Sequence, residues 1–144
     1  MPRQRNTTLD DVKIITLSSW NKIHLHSKKD WIFRGMQNSK WALETALERK
    51  EWKRNGPTSK LANKEEIILR EFQRRYYHYS QQPPRIDDTL EWLSVMQHHG
   101  APTRLLDWSY SIYVAAYFAL EEAKSDCAVW ALNTKWLFER LEKL

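Results

Sequence analysis

An α+β fold is predicted for this chain, with a small mixed sheet, flanking helices and one buried apolar helix over residues 109–124. Three observations carry that reading. Short β-branched or aromatic runs at residues 12–17, 31–35 and 127–132 have the length and composition of strands. Charged stretches beginning near Asn63 and at Thr89 place apolar residues at helical spacing. The run from Ile112 to Leu120 is apolar nearly all round, the pattern of a helix enclosed by its own fold.

In chain order, residues 1–10 are polar and read as a disordered tail, and 11–144 as a single domain, a size that buries about two thirds of its unfolded surface. Residues 12–17 read as a strand, and Ser18 or Ser19 as the cap of a helix reaching Lys28, with Trp20, Ile23 and His24 inward. His24 and His26 read as surface or rim residues. In Trp31-Ile32-Phe33-Arg34-Gly35, alternation sets Trp31 and Phe33 on one face and Ile32 with Arg34 on the other. Arg34 then ends a mostly apolar strand, where its guanidinium needs a carboxylate, a phosphate or carbonyls. Gly35 allows a sharp turn or a close approach to the backbone.

Residues 50–63, charged and broken by Asn55-Gly56-Pro57, read as a solvated loop. A helix follows, capped by Asn63, with Glu65 and Glu66 in its first turn and Ile68, Phe72, Arg75 or Tyr76, and Tyr79 on one side. Pro83-Pro84 stops it. Asp87 or Asp88 caps the next helix, which buries Leu90, Leu93 and Met96 and ends before Gly100 and Pro102. Thr103 to Leu106 reads as a short strand. Asp107 or Ser109 caps the apolar helix, and Asn133 or Thr134 caps a last one after the strand at 127–132.

Chemistry concentrates in Gln97-His98-His99-Gly100-Ala101-Pro102-Thr103-Arg104-Leu105-Leu106-Asp107-Trp108. A plain connector needs no such density of imidazole and fixed charge. His98 and His99 stand at a helix end that favours an imidazolium. A metal site would draw on His98, His99 and Asp107, without zinc spacing, so no metal is expected. A His–Asp acid–base pair lacks a nucleophile in an elbow. A cleft for a phosphorylated ligand would use Arg34, Arg104, the imidazoles and Trp108 together. The plainer account has Asp107 pairing with an arginine to lock strand to helix.

Bulk properties narrow the classes. Net charge is +5, with eight tryptophans and six tyrosines, which suits an anionic or flat partner without naming one. Arg70, Arg74 and Arg75 at helical spacing, near Tyr76 and Tyr77, suggest a phosphate-contacting stripe or a solvated helix face. The lone Cys127 points to a reducing compartment. The N-terminus has no apolar signal core, and no run reaches the roughly 18 apolar residues of a membrane span. A cytoplasmic protein without a membrane partner is expected.

Phe33-Arg34-Gly35, the stretch from His98 to Trp108, and Ala115-Ala116-Tyr117-Phe118-Ala119 together resemble the FRG domain, named for its Phe/Tyr-Arg-Gly motif. The resemblance covers roughly residues 12–132 and implies a bacterial or phage protein, and a fold more firmly than a reaction. The aromatic-Arg-Gly strand end and the small-residue helix are also similar to the arginine class of ADP-ribosyltransferases. That similarity implies an NAD cofactor whose phosphates are held by Arg34, and a protein of toxin or defence type. Ser109 stands where that family has a Ser-Thr-Ser strand. After the strand at 127–132 the only glutamates are Glu139 and Glu142, on a presumed helix, so that family's late catalytic glutamate is either absent or lies beyond Leu144 in a longer chain. The resulting expectation is a nucleotide-like ligand, with His98, His99 and Asp107 catalytic and Arg34, Gly35, Arg104, Trp108 and Ser109 on the cofactor. The alternative is a non-catalytic nucleic-acid or protein-interaction module using the basic helix.

Overall fold

The computed structural model describes residues 12–55, 61–78, 80 and 82–143. The expected tail at 1–10, the Gly56-Pro57 break and Tyr79 lie outside them. The fold is α+β: a two-stranded antiparallel sheet with several helices. Its internal contacts divide it into two compact units, Met1–Ala42 with Asp107–Leu144, and Leu43–Leu106.

In the first unit, a 3-10 helix (Trp20–His26) precedes β1 (Trp31–Met36). After the second unit the chain returns as α4 (Ile112–Leu120), β2 (Ala128–Asn133) and α5 (Thr134–Leu141). β1 and β2 pair from Trp31 opposite Asn133 to Met36 opposite Ala128. Asp30 enters β1 in the left-handed region at φ 62°, a conformation that short polar side chains tolerate. Its carbonyl accepts both the backbone N–H and the hydroxyl of Thr134, and its carboxylate lies 3.0 Å from Lys135 Nζ. The start of β1 is thereby tied to the start of α5, where Asn133 caps the helix by accepting from Trp136 N–H.

The core of this unit joins Ile23, Phe33, Ile112, Ala115 and Ala116, with Trp31 and Val129 against it. The apolar helix is shorter than expected and buried along one side only. Ile112, Ala115, Ala116 and Ala119 face inward, while Tyr113, Val114, Tyr117, Phe118 and Leu120 are exposed. Ser111, not Asp107 or Ser109, caps it by accepting from Val114 N–H. Residues 12–17 form no strand, and Val12, Ile14, Ile15 and Leu17 are exposed: β-branched composition makes a strand only where a partner edge receives it. The expected helix to Lys28 is the short 3-10 turn, with Ile23 alone buried and no side-chain cap from Ser19.

In the second unit the chain forms α1 (Ala46–Asn55), α2 (Leu61–Tyr76) and α3 (Thr89–His98). The predicted loop after Lys50 is thus helical as far as Asn55. Thr45 and Glu48 start α1 reciprocally: Glu48 Oε2 accepts from Thr45 N–H at 2.8 Å, and Thr45 Oγ1 accepts from Glu48 N–H at 3.3 Å. α2 begins at Leu61, so Asn63 lies inside it rather than capping it. Asp88 caps α3 through Glu91 N–H at 3.0 Å. On α3, Trp92, Leu93 and Met96 are buried and Leu90 is exposed. Trp92 reaches the interior because its indole N–H has a partner, the Arg85 carbonyl at 2.9 Å.

Candidate functional site

The cluster read from the sequence divides between the two units. Arg34, Gly35, Asp107, Trp108 and Ser109 belong to the first, and His98, His99 and Arg104 to the second.

In the first unit, Phe33 and Ser109 exchange two backbone hydrogen bonds, Phe33 N–H to Ser109 O at 2.7 Å and Ser109 N–H to Phe33 O at 2.8 Å. That bridge sets Asp107-Trp108-Ser109 beside Phe33-Arg34-Gly35. Arg34 Nη1 donates to the Asp107 carbonyl at 2.7 Å, across 73 positions of sequence, and lies 3.9 Å from Asp107 Oδ2. The two side chains sit in different surroundings: Arg34 is 18% exposed and Asp107 81%. The carbonyl fixes the guanidinium without neutralising it, and a solvated carboxylate at that distance makes a weak, screened pair. Ser109 Oγ accepts from Ser111 N–H at 3.0 Å, so its hydroxyl shapes the approach to α4.

Gly35 is accounted for by the fold. A Cβ there would stand 2.0 Å from the Ala115 carbonyl oxygen and 2.7 Å from Ala119 N, so the space beside it is filled by the backbone of α4.

In the second unit the motif builds the end of α3 and its return. Gly100 takes φ 78°, its N–H donates to Gln97 O at 2.9 Å, and Ala101 N–H donates to Met96 O at 2.9 Å, which closes the helix. The expected strand at 103–106 is absent, because its polar groups are met by side chains and a helix start. Buried Thr103 donates its hydroxyl to Gln97 Oε1 and accepts from Leu105 N–H, while its carbonyl accepts from Leu47 N–H. Arg104 Nε and Nη2 meet Glu65 Oε2 at 2.8 and 2.7 Å, and Arg104 N–H meets Glu65 Oε1 at 2.8 Å. Glu65 is 5% exposed. Its hydrogen bond raises the Arg104 pKa against a smaller opposing effect of burial.

Glu65 is the site residue that sequence reasoning placed wrongly, as a first-turn acid answering the helix dipole. An acid on the inner side of an amphipathic helix was the available signal. His98 and His99 are exposed, with ring centroids 5.5 Å apart, and His99 lies 5.9 Å from Phe72 and 5.8 Å from Tyr76. Among the described residues no group of three or more His, Cys, Asp or Glu is arranged to hold a metal ion. No helix among them is long and apolar enough to cross a membrane. The basic stripe is laced with acid: Arg70 pairs with Glu66, and Arg74 and Arg75 both face Glu71.

A family model described as FRG domain matches residues 29–127, more than half of the chain. No curated protein and no solved structure is significantly similar to it. The similarity to ADP-ribosyltransferases drawn from the residues receives no support from these comparisons.

Proposed function

We propose, for a chain that belongs to the FRG domain family, that the first unit binds a nucleotide-like ligand through Arg34, with NAD as the leading candidate. One observation carries the reading: the Phe33–Ser109 bridge holds a fixed, mostly enclosed guanidinium beside an indole-bearing segment. Guanidinium recognises phosphate by directed, charge-assisted hydrogen bonds, and its orientation is set in advance here by the Asp107 carbonyl. Trp108 supplies a ring and Ser109 belongs to the same segment. In this reading Asp107 is the carboxylate nearest the bound phosphates. It would stabilise positive charge developing on a ribosyl carbon if nicotinamide departs.

Calorimetric titration with NAD and ADP-ribose tests the proposal. Binding of either, lost in a folded Arg34→Ala protein and partly kept in Arg34→Lys, is the expected result. Absence of heat at millimolar ligand with the native protein would end it.

A further inference from the structure

We propose that a separate pocket on α2 binds a planar aromatic ring carrying one anionic group, a ligand of nucleoside monophosphate size. The site is a groove open to solvent, with a volume of about 650 Å³, and Ile67, Ile68, Phe72, Tyr76, Arg75 and His99 line it with Glu71. All belong to the second unit, and none is shared with the Arg34 site.

Its walls select shape. Phe72 and Tyr76 are near-parallel, 25° apart with centroids at 5.4 Å, and the His99 ring lies within 6 Å of both. Three of the lining residues are thus rings in contact with one another, and Ile67 and Ile68 supply aliphatic lining. A flat π-system fits such a surface through stacking, whatever its ring substituents. Ile67 is 61% exposed, an apolar side chain held in solvent beside those rings.

Its charge selects sign. Among the described residues Glu71 is the one carboxylate in the lining, and it serves two guanidiniums, Arg74 at 3.1 Å and Arg75 at 3.9 Å. Arg74 stands outside the lining and holds Glu71 more closely than Arg75 does, which leaves the Arg75 guanidinium to face a ligand. The looser partner, Arg75, lines the groove and can turn toward a ligand anion at little cost, because an exposed pair at that distance is weak.

Phosphate and carboxylate both satisfy Arg75, so calorimetry should use four probes: adenosine 5′-monophosphate, indole-3-acetate, adenosine and inorganic phosphate. The expected result is submillimolar binding of at least one aromatic anion, with adenosine and inorganic phosphate each at least about tenfold weaker. Preference for the monophosphate or for the acetate identifies which anion the pocket takes. Measured in a folded Arg34→Ala background, which removes the site proposed for the first unit, Arg75→Ala and His99→Ala, both at exposed positions, should abolish that binding. The proposal is overturned if neither aromatic anion binds, if adenosine binds as tightly as the preferred anion, or if both pocket variants bind like the native protein. Binding lost in Arg34→Ala but kept in Arg75→Ala would return the ligand to the first unit.

Discussion

Gly35 lies directly against Ala115: a Cβ added to the glycine would come within 2.0 Å of the alanine's carbonyl oxygen. The third residue of the Phe-Arg-Gly motif is therefore a contact between two backbones, strand β1 and helix α4. The alanines at 115, 116 and 119 belong to the same arrangement, since a helix can approach a strand this closely only through small side chains. The large rings of α4 are left to the opposite side, where Tyr113 meets Trp20 edge-on at 6.5 Å.

Gly35→Ala should accordingly destabilise the protein by about 3 kcal/mol, the upper end for overpacking, because the obstructing atoms are main chain and have no rotamer to change. Denaturant unfolding measures it. A midpoint equal to that of the native protein would show that α4 can retreat from the strand without loss.

The Glu65–Arg104 pair should behave asymmetrically. Glu65→Ala removes the acceptor of a backbone N–H and of the guanidinium together, and should cost about 2–4 kcal/mol in chemical denaturation. Because the Arg104 pKa is raised, its contribution is complete below the ordinary arginine value and fades only in stronger base. Arg104 should therefore add no pH dependence through its own titration near neutrality. Arg104→Ala should lower stability and leave nucleotide affinity unchanged.

Sequence reading found the sheet strands because β1 and β2 each have period and composition to themselves, and it found Gly100 because a helix end has its own chemistry. It missed α1 although Thr45-Ala46-Leu47-Glu48 carries the reciprocal cap, since charged residues beyond Lys50 outweighed that signal. It read one cleft from Arg34 and the stretch His98 to Trp108, and density of functional groups alone does not distinguish ligand chemistry from internal satisfaction. Arg104 and Thr103 are committed to Glu65 and Gln97, partners 39 and 6 positions away that no local pattern announces. The pairing of Arg34 with Asp107 was among the partners the residues allowed, while the Phe33–Ser109 bridge that brings them together is a long-range backbone pairing.

Asp107→Asn offers a direct test of how Arg34 is tuned. The substitution keeps the main-chain carbonyl that holds the guanidinium and removes a negative charge 3.9 Å away. Affinity for ADP-ribose should rise by roughly two- to fivefold at low salt, and the gain should shrink as salt screens the exposed carboxylate. Lower affinity in the variant would mean that Asp107 contacts the ligand itself.

Tyr117 donates its hydroxyl to Glu121 Oε1 at 2.9 Å, which raises the phenol pKa, with the nearby carboxylate charge acting in the same direction. The stabilisation is present below the ordinary tyrosine value and lost as pH rises through the shifted one. Ultraviolet titration of the native protein minus Tyr117→Phe should show a phenol ionising later than free tyrosine. Glu121→Gln should bring it back.

Thr103 decides whether the Pro-Thr-Arg segment is architecture. Its hydroxyl is buried, donates to Gln97 and accepts from Leu105 N–H, so it bridges the end of α3 and the segment that follows. Thr103→Val preserves shape and removes only that bridge, stranding both partners, and should cost about 1–3 kcal/mol in denaturant unfolding. Thr103→Ser keeps the bridge and deletes one methyl, so its cost should be near 1 kcal/mol. A valine variant as stable as the native protein would remove the structural account of the hydroxyl. The same variant binding nucleotide normally while being destabilised would confine this part of the motif to holding the chain's turn.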